Sequence, residues 1–220
     1  MANEVIAVVD LVKAYNGKNA VLDGVSFTVD EGEFVMVHGR SGCGKTTLLN
    51  IIGGLDRPTS GEVFIDGEGI VGLSEDGLAD MRLDKIGFVF QDFNLLPDLT
   101  IRDNVALPLR FSKKADEVRV NTLLDRFGIE GIASETANKV SGGEAQRAAI
   151  ARAMMNEPRI ILADEPTGNL DEENTQNVME IFRLLREEFG TTVVMATHDR
   201  GLAGHATKRV VLSGGKASTE

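Results

Sequence analysis

The chain opens on alternating apolar and polar positions. "VIAVVDLVKAY" (5–15) and "AVLDGVSFTV" (20–29), with "YNGKN" between them, predict antiparallel strands joined by a turn. "EFVMVHG" (33–39) is instead a continuous apolar run that leads straight into glycines, the pattern of a buried strand. "KTTLLNIIGGL" behind it has helical character, and "GEVFID" and "KIGFVFQ" predict two further strands. From about 92 to 157 extended apolar runs are missing, and "VNTLLDRFGI" and "EAQRAAIARAMM" predict helices. Strand signals then return in "RIILADE" (159–165) and "TTVVMATH" (191–198). Between those two, Val178, Ile181, Phe182, Leu185 and Phe189 form the stripe expected of a helix's buried face. Strands alternating with helices predict a parallel sheet covered on both faces. The expected organisation is one unit over 1–220. Its nucleotide-binding core and β-rich lobe span 1–91 and 158–220, and a helical lobe is inserted at 92–157.

Composition narrows the function classes. With 220 residues, 42% of them apolar and 26% charged, the chain fits one folded domain with an appended lobe. Its net charge of -11, with no offsetting basic run, argues against nucleic acid as a partner. Cys43 is the sole cysteine, which removes internal disulfides and cysteine-based metal sites. The first residues, "MANEVIAVVD", lack the basic start of a signal peptide, and no apolar run approaches 18 residues. A cytoplasmic chain without a membrane span is expected.

Two stretches and a few single residues carry chemistry. "GRSGCGKTT" (39–47) contains Gly39, Arg40, Ser41, Gly42, Cys43, Gly44, Lys45, Thr46 and Thr47, and it matches the phosphate-binding loop pattern between a strand and a helix. Its glycines let backbone N–H groups turn inward onto phosphate, and the helix N-terminus adds its dipole. Lys45 would reach the β- and γ-phosphates, and the Thr46 hydroxyl suits Mg²⁺. "IILADEP" ends a strand on two carboxylates: Asp164 is placed to hold Mg²⁺, usually through water, and Glu165 to act as general base on an attacking water. His198 and Gln91 end further strands, where a parallel sheet collects its ligand, although each also reads as a structural residue. Tyr15 either stacks on a nucleotide base or packs against its own strand. Cys43 reads as a small residue filling a tight loop, or as a thiol made reactive by the helix end and Lys45.

"NKVSGGEAQRAAIARAMMNEP" (138–158) poses a separate problem. Ser141 and Glu144 form an S-x-x-E capping box ahead of an alanine-rich helix, which accounts for both residues locally. Gly142 and Gly143 are left over, since each lowers helix propensity and invites close approach. A second anion-binding helix end is redundant for one nucleotide, so it is expected to face a phosphate held by another copy.

Tyr15, "GRSGCGKT", Gln91, "VSGGEAQR", "ILADEP", "GNLD" (168–171) and His198, in that order, closely resemble the ATPase subunit of an ABC transporter over essentially the whole chain. The resemblance implies a RecA-like P-loop NTPase core, an α/β fold with an N-terminal antiparallel β lobe and an inserted α-helical lobe. It implies two ATP sandwiched, with Mg²⁺, in a head-to-tail dimer of two copies. Separate transmembrane permease subunits would hold the dimer at the cytoplasmic face of the inner membrane. By the same resemblance, Tyr15 stacks on adenine and Gln91 links Mg²⁺ to the coupling surface. Glu165 is the general base, His198 contacts the γ-phosphate, and Asp171 communicates across the dimer. Ser141, Gly142, Gly143 and Glu144 contact the partner's ATP. The stretches "LNIIGGLDRPTSGEV", "IGFVFQDFNLLPDLT" and "NVALPL" resemble the lipoprotein-release and macrolide-export branch, with a non-transporting cell-division complex as the alternative. A soluble ATPase of DNA repair or translation is disfavoured by the single cassette, the missing heptads and the acidic charge. Three positions depart from the family pattern. Val140 and Glu144 stand where Leu and Gln are usual, and Arg40 replaces a small residue or proline. Glu144 puts negative charge near an incoming phosphate, so weaker ATP-driven dimerisation is expected.

Overall fold

The structure is a computed structural model that describes residues 3–15, 19–112 and 116–220. The predicted turn at 15–19 falls mostly on residues 16–18, outside the described residues. The strands on either side of it form as expected: β1 (Glu4–Lys13) pairs antiparallel with β2 (Leu22–Asp30). On its other edge β1 pairs antiparallel with β4 (Ser60–Ile65), and β5 (Glu68–Gly69) completes a four-stranded sheet. The register of β1 shifts between Val8 and Leu11, where Asp10 takes φ 46°.

The second sheet has six strands in the order β10-β9-β3-β8-β7-β6. Its centre is β3 (Phe34–His38), β8 (Thr192–Thr197) and β7 (Ile160–Asp164), joined in parallel and flanked by β6 (Ile86–Val89) and β9 (Lys208–Ser213). β10 (Lys216–Thr219) runs antiparallel at the edge. The apolar runs of β3, β7 and β8 are continuous because both faces of this sheet are covered. Alternation survives within them: Val35 and Val37 pack with the antiparallel sheet and with α1 (Lys45–Ile52), while Phe34 and Met36 pack on the opposite side.

That opposite side is covered by helices. α6 (Glu172–Phe189) buries Val178, Met179, Phe182 and Leu185. The stripe read from the sequence fits except at its end. Ile181 is only partly buried and Phe189 is exposed, because the helix stops there and Gly190 turns the chain with φ 66°. The described residues of 101–153 form helices and short 3-10 turns and no strand: α3 (Ile101–Ala106), α4 (Glu117–Arg126) and α5 (Gly142–Ala153). α5 presents Ala145, Ala148, Ala149 and Ala151 inward, and these small side chains let it sit close to α3 and β6. α2 (Glu75–Lys85) and the strands β5, β9 and β10 were not anticipated. α2 buries only Leu78 and Met81, and β10 buries no side chain. No helix among the described residues is long and apolar enough to cross a membrane.

Candidate active site

The loop between β3 and α1 is shaped by glycine. Gly44 caps α1 with φ 105°, a left-handed conformation that an L side chain rarely adopts, and Gly42 takes φ 77°. Gly44 supplies no side-chain cap, and the first turn of α1 carries no acidic residue. The N–H groups that open this helix are therefore left for an external acceptor. Cys43 is half-buried and packs against the apolar cluster beneath the loop.

Lys45 is the first residue of α1 and is only 6% exposed. Its Nζ donates to the Gly39 carbonyl at 3.0 Å and pairs with Glu165 Oε1 at 3.2 Å. Glu165 follows β7 with φ 47°, outside the usual range of a non-glycine residue. Its other oxygen, Oε2, lies 2.8 Å from His198 Nδ1 and accepts from the His198 N–H at 3.3 Å. One carboxylate thus bridges the phosphate-loop lysine and the histidine that follows β8.

Asp164 lies beside this pair at the end of β7. Its Oδ1 is buried with no hydrogen-bond partner, while the carboxylate accepts from the Thr46 side chain. Burial is the largest influence on it and raises its pKa; the Glu165 charge adds to the rise, and Thr46 and Lys45 oppose it. A buried oxygen without a partner beside a threonine hydroxyl is the donor set of a hard cation, so the residues fit Mg²⁺.

Lys45, Thr46, Glu165, His198 and Gln91 line one cleft of about 500 Å³ with Ser41, Gly42, Gly44, Thr47 and Val21. Gln91 reaches it from the end of β6, and its Nε2 donates to Asn169 Oδ1 at 3.3 Å. Asn169 donates in turn to the Gln91 carbonyl and to Asp92, tying the segment after β6 to the segment after β7. Sequence reasoning quoted Asn169 within "GNLD" but gave it no role. Gly39 and Arg40 begin the loop outside this lining.

Tyr15 is not itself in the cleft lining but touches Thr47, which is. Its ring is 43% exposed, and its hydroxyl donates to Asp56 Oδ2 at 2.6 Å. The Lys13 ammonium lies 4.6 Å from the ring centroid. Burial and the Asp56 contact raise the Tyr15 pKa against a lowering contact from Thr47. Sequence reading missed Asp56, which lies 41 positions from Tyr15, and gave no role to Lys13, two positions away.

The helix end at 141–144 has a different character. Ser141 and Gly142 are exposed, and the capping box is complete. Glu144 Oε2 accepts from the Ser141 N–H at 2.8 Å and from its hydroxyl at 2.7 Å. The Ser141 hydroxyl, followed by its N–H, holds the Glu144 carboxyl below the usual carboxylate range. Of the two glycines left unexplained by sequence, Gly143 has an internal reason. A Cβ there would come within 2.0 Å of Asn174 Oδ1, in the first turn of α6. Gly142 has no such reason, since a Cβ would meet Leu170 and Phe93 at ordinary contact distances of 3.6 and 3.7 Å. Asp171 is the N-cap of α6 and accepts from Asn174 N at 2.8 Å and Asn174 Nδ2 at 2.9 Å.

A phosphate loop between strand and helix, with a carboxylate pair ending a strand of the same parallel sheet, defines a P-loop nucleoside triphosphatase fold. The chain belongs to the ABC transporter family, whose sequence profile matches residues 22–168. It is 40% identical to the lipoprotein-releasing system ATP-binding protein LolD of Blochmanniella floridana, covering 94% of this chain and 90% of that protein. It is 44% identical to the macrolide export ATP-binding/permease protein MacB of Syntrophobacter fumaroxidans, over 91% of this chain but 29% of that protein. In three dimensions it is similar to the ATP-binding cassette MJ0796 of Methanocaldococcus jannaschii, solved as a post-hydrolysis dimer bound to ADP and Pi. That likeness has a TM-score of 0.90 at 42% identity and covers 98% of this chain and 97% of the other.

Proposed function

We propose that this ABC-family ATPase binds ATP with Mg²⁺, closes head-to-tail on a second copy around two ATP, and drives separate transmembrane permease subunits by hydrolysis. The observation that carries this reading is the Glu165 carboxylate, joined to both Lys45 and His198 at the mouth of the phosphate-loop cleft. Incoming phosphates recruit the Lys45 ammonium, which leaves the Gly39 carbonyl and Glu165. Glu165 is then free to accept a proton from water attacking the γ-phosphate in line. His198 Nδ1 keeps hold of Glu165 Oε2, so the carboxylate stays aimed, and the ring turns its far side to the γ-phosphate. Thr46, Asp164 and Gln91 would hold Mg²⁺, which would supply charge neutralisation to the bound phosphates.

Support for the dimer comes from what does not meet. None of Ser141, Gly142, Gly143 or Glu144 lines the cleft that contains Lys45 and Glu165. An exposed helix N-terminus with an unobstructed Gly142 then serves the nucleotide of another copy, with Asp171 beside it as the link between the two sites. The core at 1–91 and 158–220 carries the phosphate loop, and the helical lobe at 92–157 carries "VSGGEAQR".

The permease docks in a groove of about 680 Å³ beside Gln91, lined by Leu55, Leu83, Phe88, Phe90, Leu107 and Phe111. Phe111, 71% exposed, is a large apolar side chain with no cover of its own at the edge of that groove. The relatives named for lipoprotein release and macrolide export support a permease of that branch. The chain would then sit peripherally on the cytoplasmic face of the inner membrane.

Glu165→Gln tests the mechanism. Hydrolysis is expected to fall by about 10²–10⁴-fold, and a stable dimer is expected to accumulate with ATP in light scattering after gel filtration. Undiminished turnover would remove the base role. A monomer at saturating ATP would remove the sandwich.

A further inference from the structure

Tyr15 is anchored from two sides by residues that no motif includes. Its hydroxyl donates to Asp56 Oδ2 at 2.6 Å, and Asp56 Oδ1 accepts from Lys13 Nζ at 2.7 Å. The same ammonium donates to the Arg57 carbonyl at 2.6 Å and lies 4.6 Å from the Tyr15 ring centroid. Asp56 Oδ1 also accepts from the Arg57 N–H at 2.7 Å, so every polar atom of the cluster is engaged. Lys13 is the last residue of β1 and 9% exposed, whereas Asp56 follows the C-terminal end of α1. The cluster therefore ties the antiparallel sheet to the helix that begins at the phosphate loop, with Tyr15 held between them.

We propose that Lys13 and Asp56 are positioning residues for the nucleotide base: the carboxylate fixes the Tyr15 ring by its hydroxyl, and the ammonium occupies one ring face so that the base takes the other. This rests on the reading of Tyr15 as the base-stacking aromatic. An ammonium within 6 Å of a ring draws on its π-electrons, and a ring depleted in this way repels the π-cloud of a stacked purine less. A ring held at its hydroxyl also loses less rotamer freedom when the base arrives. Lys13 and Asp56 act through Tyr15 and need not touch the nucleotide.

The test compares two ligands, a non-hydrolysable ATP analogue and inorganic tripolyphosphate, which has the phosphates but no base. Binding is measured by calorimetry in the presence of Mg²⁺. Lys13→Met and Asp56→Asn are expected to weaken the ATP analogue by about five- to tenfold and to leave tripolyphosphate unchanged. Lys13→Arg keeps a cation over the ring and is expected to restore the ATP-analogue affinity. The chain contains one tyrosine and no tryptophan, so its intrinsic emission reports on the Tyr15 ring alone. Nucleotide binding should change that emission in the unmodified protein, and by less in Lys13→Met.

Unchanged ATP-analogue binding in both variants would overturn the proposal, and so would an equal loss for tripolyphosphate, which marks damage to the phosphate loop. Tyr15→Ala separates this failure from failure of the stacking reading. If Tyr15→Ala weakens the ATP analogue while Lys13→Met does not, stacking stands and positioning falls. If Tyr15→Ala binds both ligands like the unmodified protein, the stacking reading itself falls.

Discussion

Two helices in this chain begin on glycine-rich loops, and their N-termini are prepared in opposite ways. α1 has no side-chain cap and no acidic residue in its first turn, and Gly44 holds the entry with φ 105°. α5 has both halves of a capping box, and Glu144 places a carboxylate on the N–H and hydroxyl of Ser141. The first end is unsatisfied by its own chain and open to an anion; the second has met the Ser141 and Glu144 N–H groups from within, with an internal carboxylate beside them. An anion arriving at α1 meets free donors and the buried Lys45 ammonium. An anion arriving at α5 has to share Ser141 with a carboxylate held below the usual carboxylate range. The contrast suits a division of labour in which α1 binds nucleotide strongly in the single chain and α5 adds a weaker, reversible closing contact.

The largest expected effect comes from removing the cation at the open end. Lys45→Met should lower turnover by about a hundredfold or more. It should also leave Glu165 paired only with His198, which a shift of the His198 ring signals in NMR spectra would register. Retained turnover would mean that α1 owes little to its lysine.

Next come the two glycines of α5, which should respond differently. Gly142→Ala has room and a helical backbone, so it should raise stability without nucleotide by up to about 1 kcal/mol while reducing ATP-driven dimerisation. Gly143→Ala should lack that gain, because Asn174 must swing away and release its 2.9 Å bond to Asp171. Thermal unfolding of the two variants side by side decides the point. Equal melting temperatures would mean that Gly143 is no more constrained than its neighbour.

The last effect, at Glu144, falls on dimerisation. A glutamine there keeps the oxygen that accepts from Ser141 but removes the charge, so ATP-driven dimerisation should strengthen by about 1 kcal/mol. Sedimentation at several ATP concentrations would measure it, and an unchanged dimer constant would show that the charge is screened. The same carboxylate predicts a pH dependence. Its folded pKa is depressed, so its stabilisation is complete above the ordinary glutamate value of about 4.3. It is lost as pH falls through the lower folded value. Amide exchange at the start of α5 should therefore quicken only in acid below the ordinary carboxylate range, and Glu144→Gln should abolish that step.

The legible parts of the molecule are those where local pattern and burial coincide. β3, β7 and β8 read directly because central parallel strands are apolar on both faces, and the cap of α5 reads directly because both partners lie within one turn. The site residues were legible for a related reason: Asp164, Glu165, His198 and Gln91 stand at or just beyond strand ends of one sheet, and Lys45 and Thr46 open the helix reached by the glycine loop after β3. α2 buries two side chains and β10 none, too little to leave a periodic trace, whereas β9 buries Val210 and Leu212 in a run too short to stand out between charged and polar residues. The contact of Gly143 with Asn174, and of Tyr15 with Asp56, joins residues 31 and 41 positions apart. No local pattern encodes such a meeting, so one glycine looked unexplained and one tyrosine looked unsupported.

The backbone at Glu165 has a consequence for how this position tolerates change. Successive residues of a strand point to opposite faces, and a regular continuation of β7 would send the side chains of Asp164 and Glu165 apart. The turn to φ 47° lets Glu165 reach Lys45 and His198 while Asp164, one residue earlier, meets the Thr46 side chain. A left-handed residue other than glycine costs on the order of 1 kcal/mol, least for asparagine and aspartate and most for β-branched side chains. Position 165 should therefore accept Asn, Asp or Gly with little loss of folding, and reject Val or Ile even in a variant from which no catalysis is asked. A substitution scan scored only on abundance would still single out this position, by the shape of its backbone and not by its charge.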